Sequence, residues 1–126
     1  MTIAKITISK YLALTAFAVA LPVAVQAQDG EAKFWLKAAP NNIQGCLAAD
    51  PQFTREHTFT LKGGQAEVSM PGNIHVKLKP GQPNIYAGDF VLGRLNLHMI
   101  ADMAATPKTL TVTEKSLGCK WSAIKQ

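Results

Sequence analysis

Residues 55–79, REHTFTLKGGQAEVSMPGNIHVKLK, alternate apolar and polar side chains along three short runs punctuated by glycine and proline. In the first run His57, Phe59 and Leu61 fall on one side of an extended chain, with Glu56, Thr58, Thr60 and Lys62 on the other. Such a period of two suits a strand with one buried face, because successive side chains leave the pleated backbone in opposite directions. Gly63-Gly64 then supplies two residues that reach positive φ without a Cβ penalty, the requirement of a two-residue hairpin. The return run turns Ala66, Val68 and Met70 inward, and Pro71-Gly72-Asn73 makes a second tight turn. Ile74, Val76 and Leu78 face one way in the third run, and His75, Lys77 and Lys79 the other. The three runs predict a meander.

The same pattern continues on both sides. After the PGQPN loop at 80–84, IYAGDFVLG (85–93) is apolar with Gly88 near its middle, which predicts a bulge or bend there. RLNLHMIA (94–101) alternates, with Leu95, Leu97, Met99 and Ala101 inward. Residues 102–108 connect it to the Thr-rich run around Leu110 and Val112. CKWSAIK (119–125) then sets Cys119, Trp121 and Ala123 on one face. Upstream, AKFWLKA (32–38) reads as a first strand, and Asp50-Pro51 as the cap and first position of one short helical turn. The expectation is all-β: a small antiparallel barrel of about eight strands, mostly meander, with a two-sheet β-sandwich as the runner-up.

Composition sets limits on function. The chain has 126 residues, 48% hydrophobic and 17% charged, with 13 Lys and Arg against 8 Asp and Glu. That length allows one small domain, and the composition is too apolar for a disordered chain. Lys5 and Lys10, the apolar run Tyr11–Val25 and the small residues Val25 and Ala27 predict a secretory signal peptide over 1–27, cleaved before Gln28. The apolar run is too short, and broken by Pro22, to be the span of about 20 residues that a bilayer requires. The remaining 28–126 reads as one soluble all-β domain of the periplasm or extracellular space. Lys5 and Lys10 leave with the signal, so the formal charge falls from +5 to +3. The remaining basic residues are scattered singly, which argues against nucleic acid.

Cys46 and Cys119 are the only cysteines. An oxidising compartment and a small domain predict that they are bridged, since their wide separation lacks the close spacing of redox or zinc pairs. A bridge from the region after the first strand to the last strand brings the chain ends together, as a closed barrel demands.

No nucleophile elbow, zinc-helix motif, phosphate loop or carboxylate pair is present, so neither catalytic residues nor a cofactor are assigned. His98 and Met99 cannot share a metal, because adjacent strand residues face opposite ways, and no metal site is assigned. A triad would need His57, His75 or His98 beside Ser69, Ser116 or Ser122. The outward His75, Lys77 and Lys79, joined by Arg94 and His98 on a later strand, form a candidate basic face for an anionic partner, set against the plainer reading of solvated lysines guarding strands. The inward residues mix small and large side chains as a filled interior does, leaving room for a pocket at one open end near Trp35, Tyr86 or Phe90. The inferred architecture is similar to that of small disulfide-closed envelope barrels that inhibit host lysozymes, a likeness of fold alone. The expected function is a non-enzymatic binding protein of the cell envelope, an inhibitor or accessory factor acting on a protein. The alternative is a carrier of a small apolar or anionic ligand, and a metal protein or enzyme is more remote. Oligomeric state is not assigned.

Overall fold

The computed structural model describes residues 29–126, so the segment expected to be a signal peptide and the junction before Gln28 lie outside the described residues. The chain runs through β1 (Gly30–Trp35), β2 (Lys37–Ala38), α1 (Gln44–Leu47), α2 (Asp50–Phe53) and β3 (Glu56–Lys62). It continues through β4 (Gln65–Met70), β5 (Ile74–Pro80), β6 (Ile85–Leu92), β7 (Leu95–Asp102), β8 (Thr109–Glu114) and β9 (Lys120–Ile124). Strands β3 to β9 form an uninterrupted antiparallel meander, and the sheet order is β1-β3-β4-β5-β6-β7-β8-β9-β2. The first and last places in that order are held by β1 and β2, two halves of one extended path. β1 pairs with β3, β2 pairs with β9, and Phe34 also bridges Lys125. The barrel is thereby nearly closed. Its nine strands are the expected eight with the first interrupted at Leu36, whose buried side chain and bond from its N–H to the Arg55 carbonyl (3.3 Å) mark the corner.

A second corner lies between β5 and β6, which pair only through Lys79–Ala87 and Pro80–Tyr86. The β6 backbone crosses β5 so closely that a Cβ on Gly88 would sit 2.6 Å from the Lys77 carbonyl oxygen. The glycine bend is therefore steric in origin. The two corners divide the barrel into two faces, which gives the sandwich reading its partial likeness to the fold. In the β3–β4 hairpin, Gly63 and Gly64 adopt φ of 59° and 80°, the mirror-image turn geometry that matches strand twist.

Inside, the alternation holds. Phe59, Val68, Val76, Leu97, Val112 and Trp121 are all buried, as are Phe34, Leu36, Met99 and Leu110. Between β2 and β3 the chain folds α1 and α2 across one end of the barrel. Phe53 is buried there, its ring centroid 4.5 Å from that of Trp121 and 6.3 Å from that of Phe90. Asp50 does not cap its helix; Ala49 holds that position without a side-chain bond. Asp50 Oδ1 instead accepts the indole N–H of Trp121 at 2.7 Å, because a buried indole needs a partner. Gln52 Nε2 donates to the Pro71 carbonyl, and Cys46 is disulfide-bonded to Cys119, with Cα atoms 6.4 Å apart. This end is plugged. Among the described residues no helix is long and apolar enough to cross a membrane.

Candidate functional site

At the opposite end of the barrel, no helix among the described residues crosses the interior. The start of β1, the inner side of β3 and the loops before β6 and β8 surround a cavity of about 460 Å³, whose lining includes Ala32, Phe59, Leu61, Tyr86 and Met103, with Asp29, Glu31, Asn84 and Lys108. Asp29 Oδ1 accepts the Gly63 N–H at 3.0 Å, tying the strand start to the hairpin. Of the three residues expected at an open end, Tyr86 lines this cavity. Phe90 lies at the plugged end against Phe53, and Trp35 stands on the outer surface. Parity explains Trp35: Phe34 and Leu36 take the interior, which turns Trp35 outward with Lys33 and Lys37.

The candidate basic face does not come together as one patch. His75, Lys77 and Lys79 share the outer side of β5, but β6 separates them from His98 on β7, and Arg94 lies in the β6–β7 turn at the plugged end. Each histidine is occupied locally. His75 Nδ1 lies 2.8 Å from Glu67 Oε2, and His98 Nδ1 lies 2.8 Å from Asp89 Oδ1, which also meets Lys115 Nζ at 2.9 Å. His98 and then Lys115 hold the Asp89 carboxyl below its usual range. Lys77 and Lys79 gather instead with Lys62 and Glu67 along a groove outside β3–β5.

Ser69 is brought to 3.2 Å from His75 Nδ1, the serine–histidine approach that a triad would need. The geometry is not that of a relay. Ser69 and Glu67 both address Nδ1, while Nε2 meets Asn73 Oδ1 at 3.2 Å, so the ring cannot take a serine proton on one nitrogen while the carboxylate steadies the other. Met99 is fully buried and His98 is on the outer side of the same strand, and among the described residues no three His, Cys, Asp or Glu side chains converge as metal ligands would.

Among the described residues, two polar side chains are buried. His57 is fully buried beside Phe53; its Nδ1 is 3.0 Å from the Arg55 carbonyl and must donate to it, while Nε2 has no partner. Burial lowers its pKa, and the carbonyl bond only partly opposes this. Glu114 closes the β8–β9 turn, accepting the backbone N–H groups of Asn96, Ser116 and Leu117 at 2.8, 2.5 and 2.6 Å. Those bonds, Leu117's foremost, hold its carboxyl below the usual range.

On the outer surface a groove of about 740 Å³ runs along the seam between the β1–β2 path and β9, over Trp35, Lys37, Thr111, Lys120, Ile124 and Lys125 among others. The alternation in AKFWLKA already carried the signal for it, since Trp35 occupies a polar position of the pattern. The chain matches no family model, no curated protein and no solved structure among those compared with it.

Proposed function

We propose that this protein is an exported, non-enzymatic binding protein of the cell envelope, whose partner is another protein and whose specific role is that of an inhibitor or accessory factor. The observation that supports this most is the filled lumen. Phe34, Leu36, Leu97, Met99, Leu110 and Trp121 have no exposure, and Phe53 fills the plugged end. A barrel so packed binds chiefly through its outer surface. The disulfide agrees with an oxidising compartment outside the cytosol, and the charge pattern at the start of the chain with export.

The mouth cavity favours the carrier as a second reading, because its volume of about 460 Å³ falls within the range of small-molecule sites. The two are separated by native mass spectrometry of protein recovered from exporting cells, combined with photo-crosslinking from Trp35, Asn84 and Lys77, which sample the seam, the mouth and the opposite face. A protein adduct and an unliganded mass are expected. A stoichiometric small-molecule adduct with no crosslink from any position would overturn the proposal in favour of the carrier.

A further inference from the structure

The two outer faces of the barrel differ in chemistry. Outward from β3, β4 and β5 stand Glu56, Lys62, Glu67, His75, Lys77 and Lys79. By contrast β8 and β9 present Thr109, Thr111, Thr113, Ser122 and Ile124, with Lys120 the one charged residue among them. Next to them, the register that pairs Phe34 with Lys125 and Lys37 with Ser122 sets Trp35 directly opposite Ile124. Trp35 is 53% exposed and Ile124 62%. A tryptophan and a β-branched residue paired across strands in open water stand out in a molecule that buries Phe34, Phe53, Phe59, Tyr86 and Trp121, and such a patch marks a contact surface.

Charge narrows the occupant. Lys37, Lys120 and Lys125 line the seam groove, no Asp or Glu does, and none of the three lysines forms an ion pair with a described carboxylate. One acid borders the patch: Glu56 is the partner of Trp35 across β1 and β3 and accepts from Gln126 Nε2 at 3.3 Å, so the three lysines outnumber it. A second copy of this chain meeting the groove about a two-fold axis would set each lysine against its like, which disfavours self-association. Resting on the reading of a protein partner, we infer that the seam groove holds an acidic segment of that partner, with an apolar side chain seated between Trp35 and Ile124 and carboxylates meeting Lys37, Lys120 and Lys125.

The test is selection of phage-displayed random peptides on the immobilised full domain at low salt, followed by titration of the enriched peptides. Trp121 is fully buried and Trp35 exposed, so a blue shift of tryptophan emission on binding reports the seam. Acidic peptides with an apolar residue are expected, and binding that weakens with salt. Lys37→Glu with Lys120→Glu, or Trp35→Ala alone, should weaken binding roughly tenfold or more. Lys62→Glu with Lys77→Glu, which changes the charge equally on the other face, should have a much smaller effect. All of these positions are exposed, so folding is preserved. Enriched peptides that bind the Lys37→Glu, Lys120→Glu variant undiminished would overturn this surface while leaving a protein partner in place elsewhere. Selection of no acidic peptide, or an emission shift with phosphatidylglycerol vesicles and none with peptide, also overturns it.

Discussion

His57 shows how one buried atom gives the molecule a pH dependence. The ring is neutral in the fold because burial lowers its pKa below the ordinary 6.5, so on acidification the unfolded chain takes up this proton first. Its contribution is fully present above pH 6.5 and is lost as pH falls from there through the lowered folded value, at a slope of at most about 1.4 kcal/mol per pH unit for one proton. Glu114 acts in the same direction over a more acidic window: its carboxyl is held below 4.5, so its support is present above that pH and lost beneath it. Urea unfolding at a series of pH values should show two successive declines. His57→Leu should remove the first, because the Arg55 carbonyl still accepts from Leu36 and the unpartnered nitrogen is gone. An unchanged upper decline in that variant would assign it to another group. The inward direction of His57 was legible from the alternation, but its missing partner was not, since that depends on Phe53 arriving from the plug.

At the scale of elements, two glycines make opposite predictions. Gly88→Ala drives a methyl to 2.6 Å from the Lys77 carbonyl and 3.0 Å from Leu78, where β6 crosses β5, and should cost about 1–3 kcal/mol in chemical denaturation. Gly45, inside α1, would meet only Leu117 at 3.5 Å, and Gly45→Ala should be neutral or stabilise by up to about 1 kcal/mol through helix propensity and a less flexible unfolded chain. Equal effects would mean that the corner can relax. Strands β3, β4, β5, β7, β8 and β9 were legible because each carries its own period of two, and β6 because its apolar run is bounded by turn residues and marked by Gly88. The four residues of α1 are too few to show a helical period, and the break at Leu36 reflects a change of pairing partner from β3 to β9, with no local sequence signal.

For the whole molecule, the Cys46–Cys119 bond joins the plug to the start of β9 across a sequence separation of 73. Loop closure of that length contributes about 4 kcal/mol in the chain-entropy model, so a Cys46→Ser, Cys119→Ser variant should fall by about 2–5 kcal/mol in denaturant unfolding, with parent and variant converging under reductant. A variant as stable as the oxidised parent would show that the plug holds by its apolar contacts alone. The inward side chains, the turns and the cysteine pairing follow from local patterns, because strand alternation, turn conformations and the presence of only two cysteines require no knowledge of distant neighbours. Which residues meet across the barrel emerges with its closure. The tertiary structure separated Lys77 from His98 by inserting β6, bound Asp50 to Trp121 over 71 residues, and laid Trp35 beside Ile124. These outcomes depend on register and barrel closure, which are set by long-range packing that no single segment encodes.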